Sequence, residues 1–422
     1  MIRMINSADA DKFIKRSKIR YEKETAIVRQ IIADVIERGD EAVFEYTERF
    51  DKVRLDPSTI RVSDEEIARA YKEVDGELLD ALKRAADNIR EYHAKQKPKT
   101  WLDIQSGKTV GQLILPLDSV GIYIPGGTAS YPSSVLMNAI PASIAGVKRI
   151  VMVTPASQGN ISPLTLVAAG FAGVKEIYKV GGAQAIAALA YGTRSIPCVD
   201  KITGPGNIYV TLAKREIFGR VGIDMTAGPS EILIIADKTA NPVFIAADML
   251  SQAEHDSMAS AVLVTHDEGI AQETARELQK QLEKLPRIDT ARAAIENYGA
   301  IILTKDIRES IDVANAIAPE HLELALEDPF GYLGRIRHAG AVFCGHYSPE
   351  PLGDYYAGPN HVLPTSGTAR FYSVLSVDDF MKKTSVISYS KSELEKARKD
   401  ITLLAHAEGL TAHASAVDIR FK

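Results

Sequence analysis

The chain predicts an α/β fold, two mainly parallel sheets with helices on both faces, on three observations. Four short apolar strands run into glycine or proline turns: Val120-Gly121-Ile122-Tyr123-Ile124-Pro125-Gly126-Gly127, then 149–155, 176–182 and 199–206. Small-residue helical segments such as 183–189 lie between them, which is the rhythm of βαβ units. Further apolar strands at 231–236, 261–265 and 301–304 alternate with helical segments, so a second α/β unit follows, with a cleft between the two. A length of 422 residues agrees, being more than one ordinary core organises.

Ahead of the strands, 27–38 and 65–95 return apolar residues at three and four and read as charged amphipathic helices, followed by a connector at 96–99. Asn241-Pro242, a capping residue before a proline, opens a helix that closes near Ser251-Gln252-Ala253-Glu254-His255-Asp256. A charged helix covers 270–285. Asp306-Ile307-Arg308-Glu309 has the form of a capping box and starts a helix that must stop near Pro319. Residues 348–365 show neither helical nor strand period and read as a fixed irregular loop, of the kind that carries function. Ser392-Glu393-Leu394-Glu395 caps a terminal helix ending near Glu408-Gly409, and 410–414 leads out of it.

Composition excludes several classes. Hydrophobic residues at 45% and charged residues at 25% describe a globular protein. A net charge of -5, with no basic run interleaved with aromatics, gives nucleic acid no footing. No apolar run reaches membrane-spanning length, and the opening residues lack the apolar core of a signal peptide. Cys198 and Cys344 are the two cysteines; both read as packing residues, and their number suits a cytoplasmic protein without a disulfide framework.

The residues with chemistry are scattered. Gln252 and His255, three apart, would share a helix face, either as half of a metal site or as an ordinary solvated pair. Glu320-His321 follows a proline-broken helix end, either as an acid/base pair or as surface residues. Asp354 and His361 offer an oxygen ligand and a polar contact in the irregular loop, and His413 an imidazole near the C-terminus. The glycine turns lie where open parallel sheets bind ligands, at the carboxyl ends of strands, or are turns and nothing more. No G-x-G-x-x-G followed by an acidic residue is present. His93, His266, His338, His346 and His406 fall outside every motif.

These motifs resemble those of the histidinol dehydrogenase family. They are Tyr-Ile-Pro-Gly-Gly at 123–127, Val-Gly-Gly-Ala-Gln-Ala-Ile-Ala-Ala-Leu at 180–189, Gly-Pro-Gly-Asn at 204–207 and Ala-Gly-Pro-Ser-Glu at 227–231. Ser-Gln-Ala-Glu-His at 251–255, Pro-Glu-His-Leu at 319–322 and Gly-Asp-Tyr at 353–355 continue the order. Asn-His-Val-Leu-Pro-Thr at 360–365 and Leu-Thr-Ala-His at 410–413 complete it.

The resemblance implies two Rossmann-like domains. The expected division is a helical N-terminal segment 1–20, a first domain formed by 21–122 and 231–375, an NAD-binding domain 123–230, and a small helical extension 376–422. It implies an oxidoreductase that takes L-histidinol through L-histidinal to L-histidine with zinc and NAD, the last step of histidine biosynthesis. Gln252, His255, Asp354 and His413 would be zinc ligands, and Glu320 and His321 the acid/base pair. Tyr123, Gln184 and Asn207 would contact NAD. Ser230, His361 and Glu408 would contact substrate, together with His321 and the zinc ligands. A homodimer is implied, in which the C-terminal segment carries Glu408 and His413 to the partner's site. Two rivals remain beside this reading: oxidation of another small alcohol within the same fold, and a zinc hydrolase with Glu320 as base.

Overall fold

The computed structural model describes residues 2–10, 21–126 and 131–422. Met1, 11–20 and 127–130 lie outside the described residues, and with them most of the expected N-terminal helical segment and Gly127. Apolar strands that are covered on both faces can only sit centrally in a parallel sheet, and Glu231–Ala236 and Ser260–Thr265 are buried at every position. They form the middle of a six-stranded sheet ordered Arg3–Asn6, Ala300–Leu303, Ser260–Thr265, Glu231–Ala236, His321–Ala325, Ala341–Cys344, with every neighbouring pair parallel. A five-stranded parallel sheet runs Glu176–Tyr178, Arg149–Val153, Ser119–Tyr123, Lys201–Thr203, Gly222–Ile223. Among the described residues no helix is long and apolar enough to cross a membrane.

Packing divides the chain differently from the expected boundaries. Arg3–Asn6 is an edge strand paired with Ala300–Leu303, not a helix, because the sheet offers an unpaired edge there and Ile5 packs on its core. The helices Glu22–Arg38, Asp40–Asp51, Asp64–Glu73 and Gly76–Ala94 cover the five-stranded sheet, not the six-stranded one. Val28, Ile31, Val35 and Tyr46 join a core with Val151 and Leu189, and Leu82, Ala86 and Ile89 one with Leu136 and Ile140. The break placed at 122/123 cuts through the strand Ser119–Tyr123.

A third, antiparallel sheet was not anticipated. Trp101–Gln105 and Lys108–Pro116 form a hairpin to which Met381–Tyr389 adds, and Trp101, Leu102, Ile104 and Ile387 stand exposed on it. From it the tail continues as helix Lys391–Ala407, capped by Ser390 rather than Ser392 (Oγ accepts from Glu393 N–H, 3.3 Å), and as helix Thr411–Asp418. Cys198 is exposed in the segment before Lys201–Thr203, not packed in a strand; Cys344 ends its strand half-buried.

Candidate active site

Because helix Pro242–Ala253 links two parallel strands, it runs against them and its last turn returns to the amino edge of the six-stranded sheet. Gln252, in that last turn, is buried. Asn241 caps the helix start with Oδ1 on Val243 N–H, 2.9 Å. The helix ends at Ala253, so His255 lies in the following turn, exposed, and does not share a helix face with Gln252. Helix Ile307–Ile317 also ends at this edge: Ala318 turns left-handed (φ 55°), and the chain re-enters the sheet through Glu320 and His321.

His321 and Glu320 are both buried and tied to one residue. Glu231 N–H donates to Glu320 Oε2 (2.8 Å), and the Glu231 carbonyl faces His321 Nδ1 at 3.0 Å. A carbonyl only accepts, so Nδ1 carries the proton and Nε2 is left as the basic nitrogen. Nε2 is buried without a hydrogen-bond partner, 3.8 Å from Glu350 Oε1, which is also unpartnered. Burial pushes the imidazole down to about 4, so it is neutral near pH 7. Burial, with the negative charges of Glu231, Asp354 and Glu350, holds Glu320 well above the carboxylate range.

Asp354 sits on a short helix, Glu350–Tyr355, inside the stretch expected to be irregular. Ligand-type atoms of His321, Glu350 and Asp354 all lie within 4.8 Å of one another. His361 donates through Nδ1 to the Asp354 carbonyl (3.1 Å), and Ser134 Oγ lies 3.4 Å from its Nε2. Ser134 belongs to helix Pro132–Ala145 of the five-stranded unit, so His361 joins the two halves. Ser230 precedes Glu231, its carbonyl taking Ser260 N–H at 2.9 Å.

This donor set fits a divalent cation. Gln252 Oε1 is buried with no hydrogen-bond partner, an arrangement that costs free energy unless something accepts that lone pair. The nitrogen of His321 and the oxygens of Glu350 and Asp354 suit zinc or a similar ion, and His255, exposed in its turn, is not among them. Glu408 and His413 are exposed on the tail, and the three-residue cluster around Asp354 does not include His413. Within one chain the four expected ligands are not gathered.

Three acidic residues were not anticipated. Glu350 is 1% exposed and pushed up to about 9, by burial and then by Asp354. Its N–H donates to Glu323 Oε1 (2.8 Å), and Glu323 and Asp248, the latter raised to about 6 by burial, lie against each other. The available signals were Asp248 one turn before Gln252, and Glu323 two positions after His321 on the same strand face. His93, given no role, is fully buried: Nδ1 donates to the Ile89 carbonyl (2.8 Å), and Nε2 takes Asn360 Nδ2 at 3.3 Å, fixing the residue before His361.

The carboxyl edge of the five-stranded sheet gathers the other expected residues. Its strand order places Ser119–Tyr123 first, with later strands added on both sides, so the order reverses between it and Lys201–Thr203. Tyr123 ends the one strand and is buried; its hydroxyl accepts Gly182 N–H at 3.1 Å, and burial pushes it up to about 12. Gln184, in the first turn of helix Gly182–Tyr191, is 1% exposed with neither amide atom hydrogen-bonded. Asn207 caps helix Ile208–Ile217, Oδ1 accepting from Tyr209 and Val210 N–H at 3.0 and 3.2 Å. An unsatisfied buried amide beside two helix N-termini suits an anionic, hydrogen-bonding ligand such as a dinucleotide.

A family model of histidinol dehydrogenase matches residues 14–421. The chain belongs to the histidinol dehydrogenase family. The histidinol dehydrogenase of Caldanaerobacter subterraneus subsp. tengcongensis is 58% identical over 97% of this chain and 96% of its own length. That of Heliobacterium mobile is 56% identical over the whole of both chains. The crystal structure of histidinol dehydrogenase from Elizabethkingia anophelis superposes with a TM-score of 0.95 at 43% identity, covering 100% of this chain and 98% of that one. An acetylating aldehyde dehydrogenase of Geobacillus thermoglucosidasius, at 13% identity and a TM-score of 0.51 over 87% of this chain and 97% of its own, shares the fold alone. Membership in the histidinol dehydrogenase family makes the chain an oxidoreductase of histidine biosynthesis.

Proposed function

We propose that the chain oxidises L-histidinol to L-histidinal and then to L-histidine, using zinc and two molecules of NAD, as the last step of histidine biosynthesis in the cytoplasm. The observation that carries this reading is the pair of buried, unpartnered atoms His321 Nε2 and Glu350 Oε1, 3.8 Å apart beside Glu320 and Asp354, with Gln252 Oε1 likewise buried and unpartnered. Gln252, His255 and Asp354 would hold the zinc together with His413 of a second copy. When bound, zinc fixes the imidazole and amino nitrogens of the substrate, and NAD accepts hydride in each oxidation.

His321 Nε2 takes the hydroxyl proton in the alcohol step, which its neutral state and free lone pair allow. Glu320, adjacent to it, orients and deprotonates the water that adds to the aldehyde. Positive charge held at Asp354 offsets one of the charges that raise Glu320, so filling the site favours the ionised carboxylate, the form that can take a proton from water. Ser230, His361 and Glu408 line the substrate, and Tyr123, Gln184 and Asn207 hold NAD. A homodimer accounts for the tail, whose Leu403 and Leu404 are each 65% exposed and whose Glu408 and His413 are exposed as well.

The deciding experiment counts NADH formed per histidinol consumed by the purified, metal-analysed protein, with other small alcohols as rivals. Two NADH per histidinol is the expected result. Turnover without NAD would return the zinc-hydrolase reading, and preference for another alcohol would change the substrate. Mixed dimers of His413→Ala and Glu320→Gln chains should regain activity that neither has alone; no regain removes the shared site.

A further inference from the structure

We propose that Lys214 and Asp224 are positioning residues for the dinucleotide loop, a buried ion pair whose work is to hold the backbone of Gly204. The proposal rests on the reading that NAD lies across the carboxyl edge of the five-stranded sheet. Lys214 comes from helix Ile208–Ile217 and Asp224 from just past strand Gly222–Ile223, and their side chains are 4% and 1% exposed. Lys214 Nζ pairs with Asp224 Oδ1 and donates to the Gly204 carbonyl at 2.9 Å. Asp224 Oδ2 accepts Gly204 N–H at 2.8 Å, and its Oδ1 also takes Met225 N–H at 2.7 Å. Both backbone groups of a single glycine are thus taken by the two halves of one ion pair.

Gly204 is where such a grip matters. Its φ of +114° is open only to glycine, and a Cβ there would lie 2.1 Å from the carbonyl oxygen of Tyr123. The residue sits at the reversal of strand order, between Tyr123 and the Pro205-Gly206-Asn207 turn. Asn207 caps the helix that carries Lys214, so loop, cap, helix and ammonium close a ring back onto Gly204. Removing two charges from water is costly, and apolar pairs of similar volume often serve stability as well or better. A fully buried pair whose bonds converge on one loop residue is therefore explained by where it puts the loop, not by how much it stabilises the fold.

The test compares the full-length enzyme with the uncharged, similarly sized Lys214→Met/Asp224→Leu double variant and with Lys214→Arg. The double variant leaves Gly204 N–H, the Gly204 carbonyl and Met225 N–H without those partners, so it should fold with a lowered thermal midpoint and show KM and Kd for NAD raised about tenfold, while KM for histidinol and metal content stay within about twofold. Lys214→Arg, which keeps the charge, should recover most of the NAD affinity. Unchanged NAD affinity in a folded double variant overturns the proposal, as does an equal loss for both ligands. A double variant that cannot fold makes the pair a strut and overturns it too. Gln184→Ala, run alongside, separates the levels: if it leaves NAD affinity unchanged, the dinucleotide site itself is misplaced. If it weakens NAD and the double variant does not, only the ion-pair proposal falls.

Discussion

The two parallel sheets are built alike but present opposite edges to the candidate site. The five-stranded sheet offers its carboxyl edge, where Tyr123, Gln184 and Asn207 lie among the starts of helices Gly182–Tyr191 and Ile208–Ile217. The six-stranded sheet offers its amino edge, where Glu320, His321 and Gln252 lie at the ends of helices Ile307–Ile317 and Pro242–Ala253. Helix starts carry about half a positive charge and helix ends about half a negative one. The first edge therefore favours a diphosphate and the second a cation. The same architecture, turned end for end, sorts the two proposed cofactors by the sign of their charge.

The largest test of this contrast is His321→Asn, which should lower turnover by about two to four orders of magnitude with metal content unchanged. Unaltered turnover would remove Nε2 from the chemistry. Chelation should abolish turnover while NAD binding, followed by fluorescence titration, persists; loss of both together would merge the two edges into one site. Gln184→Ala should raise KM for NAD about tenfold and leave histidinol alone.

A pH series sharpens the comparison further. His321, at about 4 in the fold against 6.5 free, resists a proton that the unfolded chain accepts, so stability falls as pH drops through that window. Glu350, raised from 4.5 to about 9, keeps a proton that the unfolded chain has lost, so stability also falls as pH rises toward 9. The thermal midpoint of metal-free protein should peak between these limits, and a profile flat from 4 to 9 would contradict both burials. The smallest effect separates two helix caps. Asn207→Ala and Asn241→Ala should each cost about 1 kcal/mol in urea titrations, but only the former, at the carboxyl edge beside Tyr123, should also weaken NAD.

Much of this was legible from residues alone, for local reasons. Strand and glycine-turn units announce the parallel sheets because a doubly covered strand must be apolar throughout, and Asn241-Pro242 and Asp306 mark helix starts through their own side chains. What was not legible depends on remote partners. Nothing in 22–94 says which sheet its apolar stripes cover, and the strand at 381–389 depends on a hairpin more than two hundred residues earlier. Glu350 between two prolines looks like a loop residue until Glu323 takes its N–H. His93 gives no sign that it will anchor Asn360.

The pairing of Arg3 with Ala300 has a consequence for biosynthesis. At about 5–20 residues per second a ribosome needs roughly 15–60 s after making the opening strand to supply its neighbour. Meanwhile 22–226 already holds every strand of the smaller sheet and the helices that cover it. The half bearing the buried acids is therefore completed late, and so is the core of the other half, which takes Val362, Leu375, Val377 and Phe380 from the same late stretch. The chain's leading residues stay available to chaperones or mispairing for most of synthesis.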